Sequence, residues 1–339
     1  MRSQTHLRRR SRTKTVLIPL SKPPPSLLLH SFKTNSRLAD TRNSVLITGT
    51  SLNGIGFYAA QVIAKYAHLV IITGYNSERL KLSRDAIQNE VPGANIRLLT
   101  LDLSSLSAVR DAAAEVNAYA EPLHIIIHNA AAALVPLKLT KDGKTERQIA
   151  TAHIGPFLFT KLILTKILAS SSTTYVPRVV TVSSDGHLSA SAMNFNLFRN
   201  PEAEPKSTLG FTIYSQAKSA NILFVKELSK RSGGRINGYS LHPGGTYTEE
   251  SIETFREMGA IGDDGILKME NYDWKTLPQG AATIVTAAFD PRLNDLPGSF
   301  LEDSNIAADD RVAKHCKDPA NAEKLWEVTE EVIGEKFEF

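Results

Sequence analysis

The sequence predicts a doubly wound α/β fold, with a central parallel sheet of about seven strands and helices on both faces. Three observations predict it. Short apolar runs rich in Val and Ile recur along the chain, amphipathic helical stretches separate them, and a glycine-rich turn links the first run to the first helix. Continuously apolar strands are what a sheet covered on both faces demands. Strand–helix alternation is what right-handed crossover units produce.

Val45–Thr48 is the first strand, and a helix follows from Phe57 to about Ala67. Leu69–Thr73 is the second strand, followed by a charged helix near Ser77–Asn89. Ile96–Leu101 and a helix over Leu106–Ala120 come next, then the strand Ile125–Ile127. One long helix is expected over Glu146–Leu168, before the strand Val179–Val182. A helix over Tyr214–Arg231 leads to the strand Ile236–Leu241, and Gly298–Leu301 suits a last strand. An amphipathic helix near Ala320–Gly334 carries Trp326 as its anchor. Residues 44–339 thus read as a single domain, with 247–274 carrying little pattern.

Charge divides the chain differently. Residues 1–43 hold ten Lys or Arg and one acid, while the remainder has 29 basic and 34 acidic residues. The basic balance therefore belongs to a tail and gives no reason to expect a nucleic-acid partner for the body. The tail's composition fits a mitochondrial transit peptide or a functionless disordered extension, and Pro19 and Pro23–Pro25 break any long helix in it. Cytoplasmic residence is the expectation, with the mitochondrion as the alternative. No apolar run has the length of a bilayer span. The lone Cys316 permits no internal disulfide and reads as a small surface or semi-buried residue. No Cys/His cluster has zinc spacing, so no metal is expected.

Gly49, Gly54 and Gly56 sit between strand and helix, where glycines allow a tight bend, close approach of a pyrophosphate, and helix–strand packing. The helix N-terminus then offers unpaired N–H groups to phosphate. The second strand ends in Thr73-Gly74-Tyr75-Asn76, with Arg79 near and no acid. An acid there would hold the ribose hydroxyls of NAD(H) and repel a 2′-phosphate, so NADP(H) is favoured over NAD(H) with Asn76 as a contact; the alternative is that Tyr75 and Asn76 only shape a turn.

Tyr214 and Lys218 stand at i and i+4 on one helix face, and Ser183-Ser184 ends the preceding strand. Hydride transfer to a carbonyl builds negative charge on oxygen. A tyrosine, whose ordinary pKa is about 10, is a suitable proton donor if nearby positive charge lowers that value. The expected catalytic set is Tyr214 as acid/base, Lys218 tuning it and holding a ribose, and Ser184 donating to the oxyanion.

Taken in order, Thr48-Gly49…Gly54-Ile55-Gly56, Leu101-Asp102-Leu103, Asn129-Ala130-Ala131, Val182-Ser183-Ser184, Tyr214…Lys218 and His242-Pro243-Gly244 resemble the classical short-chain dehydrogenase/reductase family. The stretch Tyr214–Leu228 resembles the retinol dehydrogenase and WW-domain oxidoreductase branch. The resemblance implies a Rossmann-type dinucleotide site that adds Ser51, Asn53, Ile55, Leu103, Ala130, Pro243 and Gly244 to the contacts. It implies adenine contact by Asp102, support by Asn129, carboxamide contact by Thr248, and a substrate lid near 247–274. It also implies a small, apolar carbonyl or alcohol substrate. Oligomeric state does not follow.

Three departures stand out. Four residues separate Gly49 from Gly54, one more than the family's turn, and Tyr75 replaces a frequent Arg. Ala152 stands where the family carries an Asn that helps hold a water linked to the Lys. That loss raises an alternative: a catalytically weakened NADP(H)-binding sensor or partner module. A sugar-nucleotide epimerase is a further rival, disfavoured by the short region after Gly244. Asp102 has the simpler reading of a turn cap. His153 and His242 read as packed histidines and His187 as a loop histidine or a pocket residue. Met193, Phe195 and Phe198 suit a pocket wall or the core equally.

Overall fold

A computed structural model describes residues 43–132, 137–205, 207–208, 210–246 and 274–339. The tail, the presumed lid except Trp274, and Thr248 lie outside the described residues.

Alternation within each strand builds two cores. Val45 and Ile47 of β1 (Ser44–Ile47) face one side with Ile125 and Ile127 of β4 (Ile125–His128), and Val70 and Ile72 of β2 (Leu69–Gly74) join them. Leu46, Ile126, Leu69 and Ile71 face the other side. Both sets are buried because each face has its own helices. The first core is covered by α1 (Ile55–Ile63), α2 (Ser77–Glu90) and, later in the chain, a helix over Leu277–Phe289. The second is covered by α3 (Leu106–Ala118) and by helices over Gly155–Leu162, Gly210–Arg231 and Pro319–Ile333.

The remaining strands are β3 (Ile96–Thr100), β5 (Arg178–Val182), β6 (Asn237–His242), a small parallel pair β7 (Gly245–Thr246) and β8 (Trp274–Lys275), then β9 (Phe300–Glu302) and β10 (Asn305–Ile306). The main sheet has the order β3-β2-β1-β4-β5-β6-β9-β10. It is parallel throughout except where β10 folds back on β9. The sheet therefore has eight strands, one more than expected, because the left-handed Asp303 and Ser304 form a tight turn that returns a two-residue strand. Strand order reverses between β1 and β4, opening a crevice at their C-terminal ends.

The long helix expected over Glu146–Leu168 is interrupted. It begins as α4 (Arg147–Ile149), capped by the Glu146 side chain, widens into a π turn over Ala150–Ile154, and resumes as α5 (Gly155–Leu162) and α6 (Leu164–Leu168). Crowding at Gly155 accompanies the irregularity: a Cβ there would lie 2.2 Å from the Leu103 carbonyl oxygen. The short α7 (Asn196–Arg199) places Phe198 in the core, and Met193 and Phe195 pack against the same cluster. Of their two readings, the core one holds. Cys316 is fully buried on α10 (Lys314–Lys317), not at the surface. Trp326 is buried as expected, wedged between Phe157 and Phe337.

A methyl added at Gly155 has nowhere to go but into backbone. Gly155→Ala should lower the unfolding free energy by about 1–3 kcal/mol, read as a lower urea midpoint at constant m-value.

Candidate active site

The first glycine turn is built around a mesh of hydrogen bonds across the switch point. The Thr48 hydroxyl accepts from the Asn129 and Ala130 amides at 3.0 and 3.1 Å. The Asn129 side chain donates to the carbonyls of Thr48 and Gly49 at 3.0 and 2.9 Å. Gly49 takes φ +70°, and a Cβ on it would sit 2.7 Å from the Ala130 Cα; one on Gly56 would sit 2.4 Å from the Asn129 amide nitrogen. The extra residue of the turn is absorbed by Asn53, which adopts φ 62°, while the Gly54 amide donates to the Ser51 carbonyl. Ile55 then starts α1 with neither a side-chain cap nor an acid in its first turn. This helix start suits a phosphate: its dipole is positive and its first N–H groups are uncapped.

Other predicted contacts lie along the same strand ends. Asn76 caps α2, its side-chain oxygen accepting from the Arg79 amide at 3.0 Å. A small cleft beside it is lined by Ser51, Gly74, Tyr75, Asn76, Arg79 and Leu80, with no carboxylate. Asp102 does act as a turn cap: one oxygen accepts from the Ser104 amide and hydroxyl at 3.0 and 2.6 Å. Leu103 is buried with its carbonyl against Gly155. Pro243 and Gly244 follow β6, and a Cβ on Gly280 would lie 3.5 Å from the Pro243 carbonyl and 3.7 Å from the Ile55 methyl. That neighbourhood brings the Pro-Gly turn to the start of α1.

The helix α8 (Gly210–Arg231) is pinned to β5 by side chains. Ser183 Oγ donates to the Lys218 carbonyl at 2.7 Å and Thr181 Oγ1 to the Asn221 carbonyl at 3.0 Å. In return Lys218 Nζ and Asn221 Nδ2 both donate to the Val182 carbonyl, at 2.8 and 3.0 Å. Ser184, two residues past β5, thereby meets Tyr214. The phenol ring and the Ser184 hydroxyl flank Gly186, where an added Cβ would lie 2.9 Å from the Tyr214 ring and 3.4 Å from Ser184 Oγ, and Lys218 Nζ lies 5.3 Å from the phenol ring centre. That crowding requires glycine between them. Gly49, Asn129 and Ser184 thus lie just past the C-terminal ends of the neighbouring strands β1, β4 and β5, with Tyr214 and Lys218 on the helix pinned to β5.

The electrostatics correct one expectation. Burial pushes Tyr214 up to about 12, against a smaller lowering by Ser184 and with a raising contribution from Asp185. Burial likewise pushes Lys218 down to about 8. Lys218 spends its ammonium on the Val182 carbonyl, and the protein alone does not lower the tyrosine. Ala152 lies in the π turn, buried in the apolar core, so a methyl occupies the place where the resemblance expects an amide.

Sequence reasoning passed over Asp185 and undervalued two histidines. Ser184 Oγ donates to Asp185 Oδ1 and accepts from the Gly186 amide, both at 3.0 Å. His187 is fully buried and bonded to the Ser184 carbonyl, so neither a loop position nor a pocket position describes it. His242 is packed as expected, against Asp185. The signal was adjacency to Ser184, which apolar periodicity does not weigh.

A family model for short chain dehydrogenases matches residues 43–195. The short-chain dehydrogenase TIC 32 A, chloroplastic, of Brassica napus is 34% identical over 308 residues, covering 88% of this chain and 91% of the relative. The chain belongs to the short-chain dehydrogenase family. A WW domain-containing oxidoreductase of Danio rerio is 30% identical, covering 88% of this chain and 70% of the relative. Among solved structures, a putative short chain dehydrogenase of Escherichia coli CFT073 complexed with NADPH superposes with a TM-score of 0.60 at 19% identity, over 80% of this chain and 100% of that one. Membership makes this short-chain dehydrogenase an NAD(P)-dependent oxidoreductase acting on a small molecule. No described helix is long and apolar enough to cross a membrane.

The buried Lys218 has a pH signature. Its folded pKa lies below the unfolded value, so the unfolded chain binds the extra proton between about pH 8 and 10.5 and stability rises through that window. Urea unfolding of the native protein at several pH values should show this rise, and Lys218→Met should flatten it.

Proposed function

We propose that the protein interconverts an apolar ketone or aldehyde and its alcohol with NADP(H), using Tyr214 as general acid/base, Ser184 as oxyanion donor and Lys218 as the cation beneath the phenol. The observation that carries this reading is the convergence of the phenol and the serine hydroxyl around Gly186 with the Lys218 ammonium below the phenol, at the end of the strand beside β4, whose Asn129 bonds to the glycine turn. A bound nicotinamide dinucleotide would supply the hydride. Gly49, Ser51, Asn53, Gly54, Ile55 and Gly56 would hold its phosphates, with Asp102, Asn129, Ala130, Pro243, Gly244 and Thr248 along its length. The crowding at Gly49 and Gly56 and the uncapped start of α1 fit that group. The carboxylate-free cleft at Asn76 favours the 2′-phosphate form.

The chain's own residues divide the work. With a pKa near 12, Tyr214 holds its proton at neutral pH, ready to give it to a carbonyl oxygen as negative charge develops there. Ser184 must exchange its hydrogen bond to Asp185 for one to the same oxygen. The buried Ala152 methyl favours a second reading, a slow or inactive NADP(H)-binding sensor.

Two measurements separate these readings. NADPH should bind more tightly than NADH in a fluorescence titration; the reverse order removes the cofactor preference. In a screen of carbonyls and alcohols, Tyr214→Phe should abolish turnover and keep NADPH affinity. Ser184→Ala should cost roughly 10²–10³ in kcat, the range for losing an oxyanion donor. A native protein that binds NADPH yet turns over nothing in the screen supports the sensor.

A further inference from the structure

One peptide unit links Ser184 to Asp185, and a different histidine holds each end of it. Its carbonyl, Ser184 O, lies 2.5 Å from His187 Nδ1. Its N–H, on Asp185, donates to His242 Nδ1 at 3.2 Å. The two imidazoles come from different places: His187 from the 3₁₀ turn Asp185–Ser189, and His242 from the end of β6. Each is packed away from water, His187 edge-on against Phe300 of β9.

A carbonyl needs a donor and an N–H needs an acceptor, so the same ring atom must carry a proton in one histidine and lack it in the other. We propose that His187 in its Nδ1–H tautomer and His242 in its Nε2–H tautomer are positioning residues that fix the Ser184–Asp185 peptide and, through it, the aim of the Ser184 hydroxyl. This rests on the reading of Ser184 as the oxyanion donor.

Two further contacts fit the assignment. His242 Nε2 lies 3.6 Å from Asp185 Oδ2, longer than a hydrogen bond, so the carboxylate lies nearest the ring nitrogen that carries the proton in the Nε2–H tautomer. His187 Nε2 is buried without a hydrogen bond of normal geometry, as a bare lone pair in an apolar pocket would be, and the Arg311 main chain near it is the competing acceptor. Burial is the largest influence on both rings and favours their neutral forms.

The two histidines respond differently to acid. Protonated His187 still donates to Ser184. Protonated His242 turns its Nδ1 into a donor facing another donor and releases the peptide. The charges facing His242 are Asp185 and Glu302, which favour its protonation, and Lys275 and Arg311, which oppose it. Those facing His187 are Asp185, Arg311 and the titratable His315.

The experiment pairs imidazole ¹⁵N NMR of the full chain with kcat and KM of native protein, His242→Asn and His242→Phe between about pH 5 and pH 9. Opposite tautomers are expected in the two rings. His242→Phe should lower kcat about 10- to 100-fold with little change in cofactor KM, the effect of a misaimed group. His242→Asn keeps an acceptor that does not titrate, so it should recover most of that loss and lack the acid limb that His242 gives the native profile. Matching tautomers, or equal kcat in the two variants, overturns the inference. A native protein without turnover sinks the carbonyl-reductase reading instead, and the tautomers alone then decide this one.

Discussion

An ammonium buried against a backbone carbonyl fixes the rest of the site. Lys218 is 3% exposed, and its charge leaves water only because the Val182 carbonyl receives it. That bond can form only if α8 lies directly on β5. The helix meets this demand with small and polar residues where it touches the strand, Ala217, Ala220 and Asn221 among them, and β5 answers with the hydroxyls of Thr181 and Ser183. Tyr214, one turn earlier on α8, is then carried to Ser184 without a separate device. A helix held by apolar packing alone could slide by a rotamer; four directional bonds to two consecutive turns prevent that.

The glycine turn is governed by a second mesh of the same kind. Asn129 ties β4 to the turn after β1, and any Cβ at Gly49 or Gly56 would break that contact. Because both ends of the turn are fixed, its additional residue has to be taken up in the middle. Asn53 takes it up in a left-handed conformation, which asparagine tolerates better than most residues. The longer turn is therefore closed locally, the Gly54 amide donating to the Ser51 carbonyl just before α1 begins.

Most of the sheet was legible because both faces of β1, β2 and β4 are buried, which writes each of them into sequence as an apolar run, whereas the equally buried β6 is Asn-Gly-Tyr-Ser-Leu-His. The glycine turn, Ser184, Tyr214 and Lys218 were legible through spacing and order. The helix over Leu277–Phe289 was passed over, although Thr276 and Gln279 form a capping box that marks its start. The break at Ala150–Ile154 was not legible, and the close approach of Gly155 to the Leu103 carbonyl that accompanies it joins residues distant in sequence. Asp185 and His187 were undervalued although they adjoin Ser184, because periodicity does not weigh adjacency, and the pairing of the packed His242 with Asp185 spans 57 positions of sequence.

Electrostatics and geometry pull the Ser184 hydroxyl in two directions. Its proton is directed to Asp185, while its oxygen accepts from Gly186. The carboxylate beside it also raises the phenol of Tyr214. Asp185 therefore favours the protonated forms of both hydroxyls, which in the proposed chemistry readies the phenol to donate to a carbonyl oxygen. Removal would require the phenol to ionise next to a carboxylate, with the nearest ammonium already spent on Val182. The charge arrangement of the chain alone thus keeps the Tyr214 phenol protonated, with the nearest ammonium held by the Val182 carbonyl.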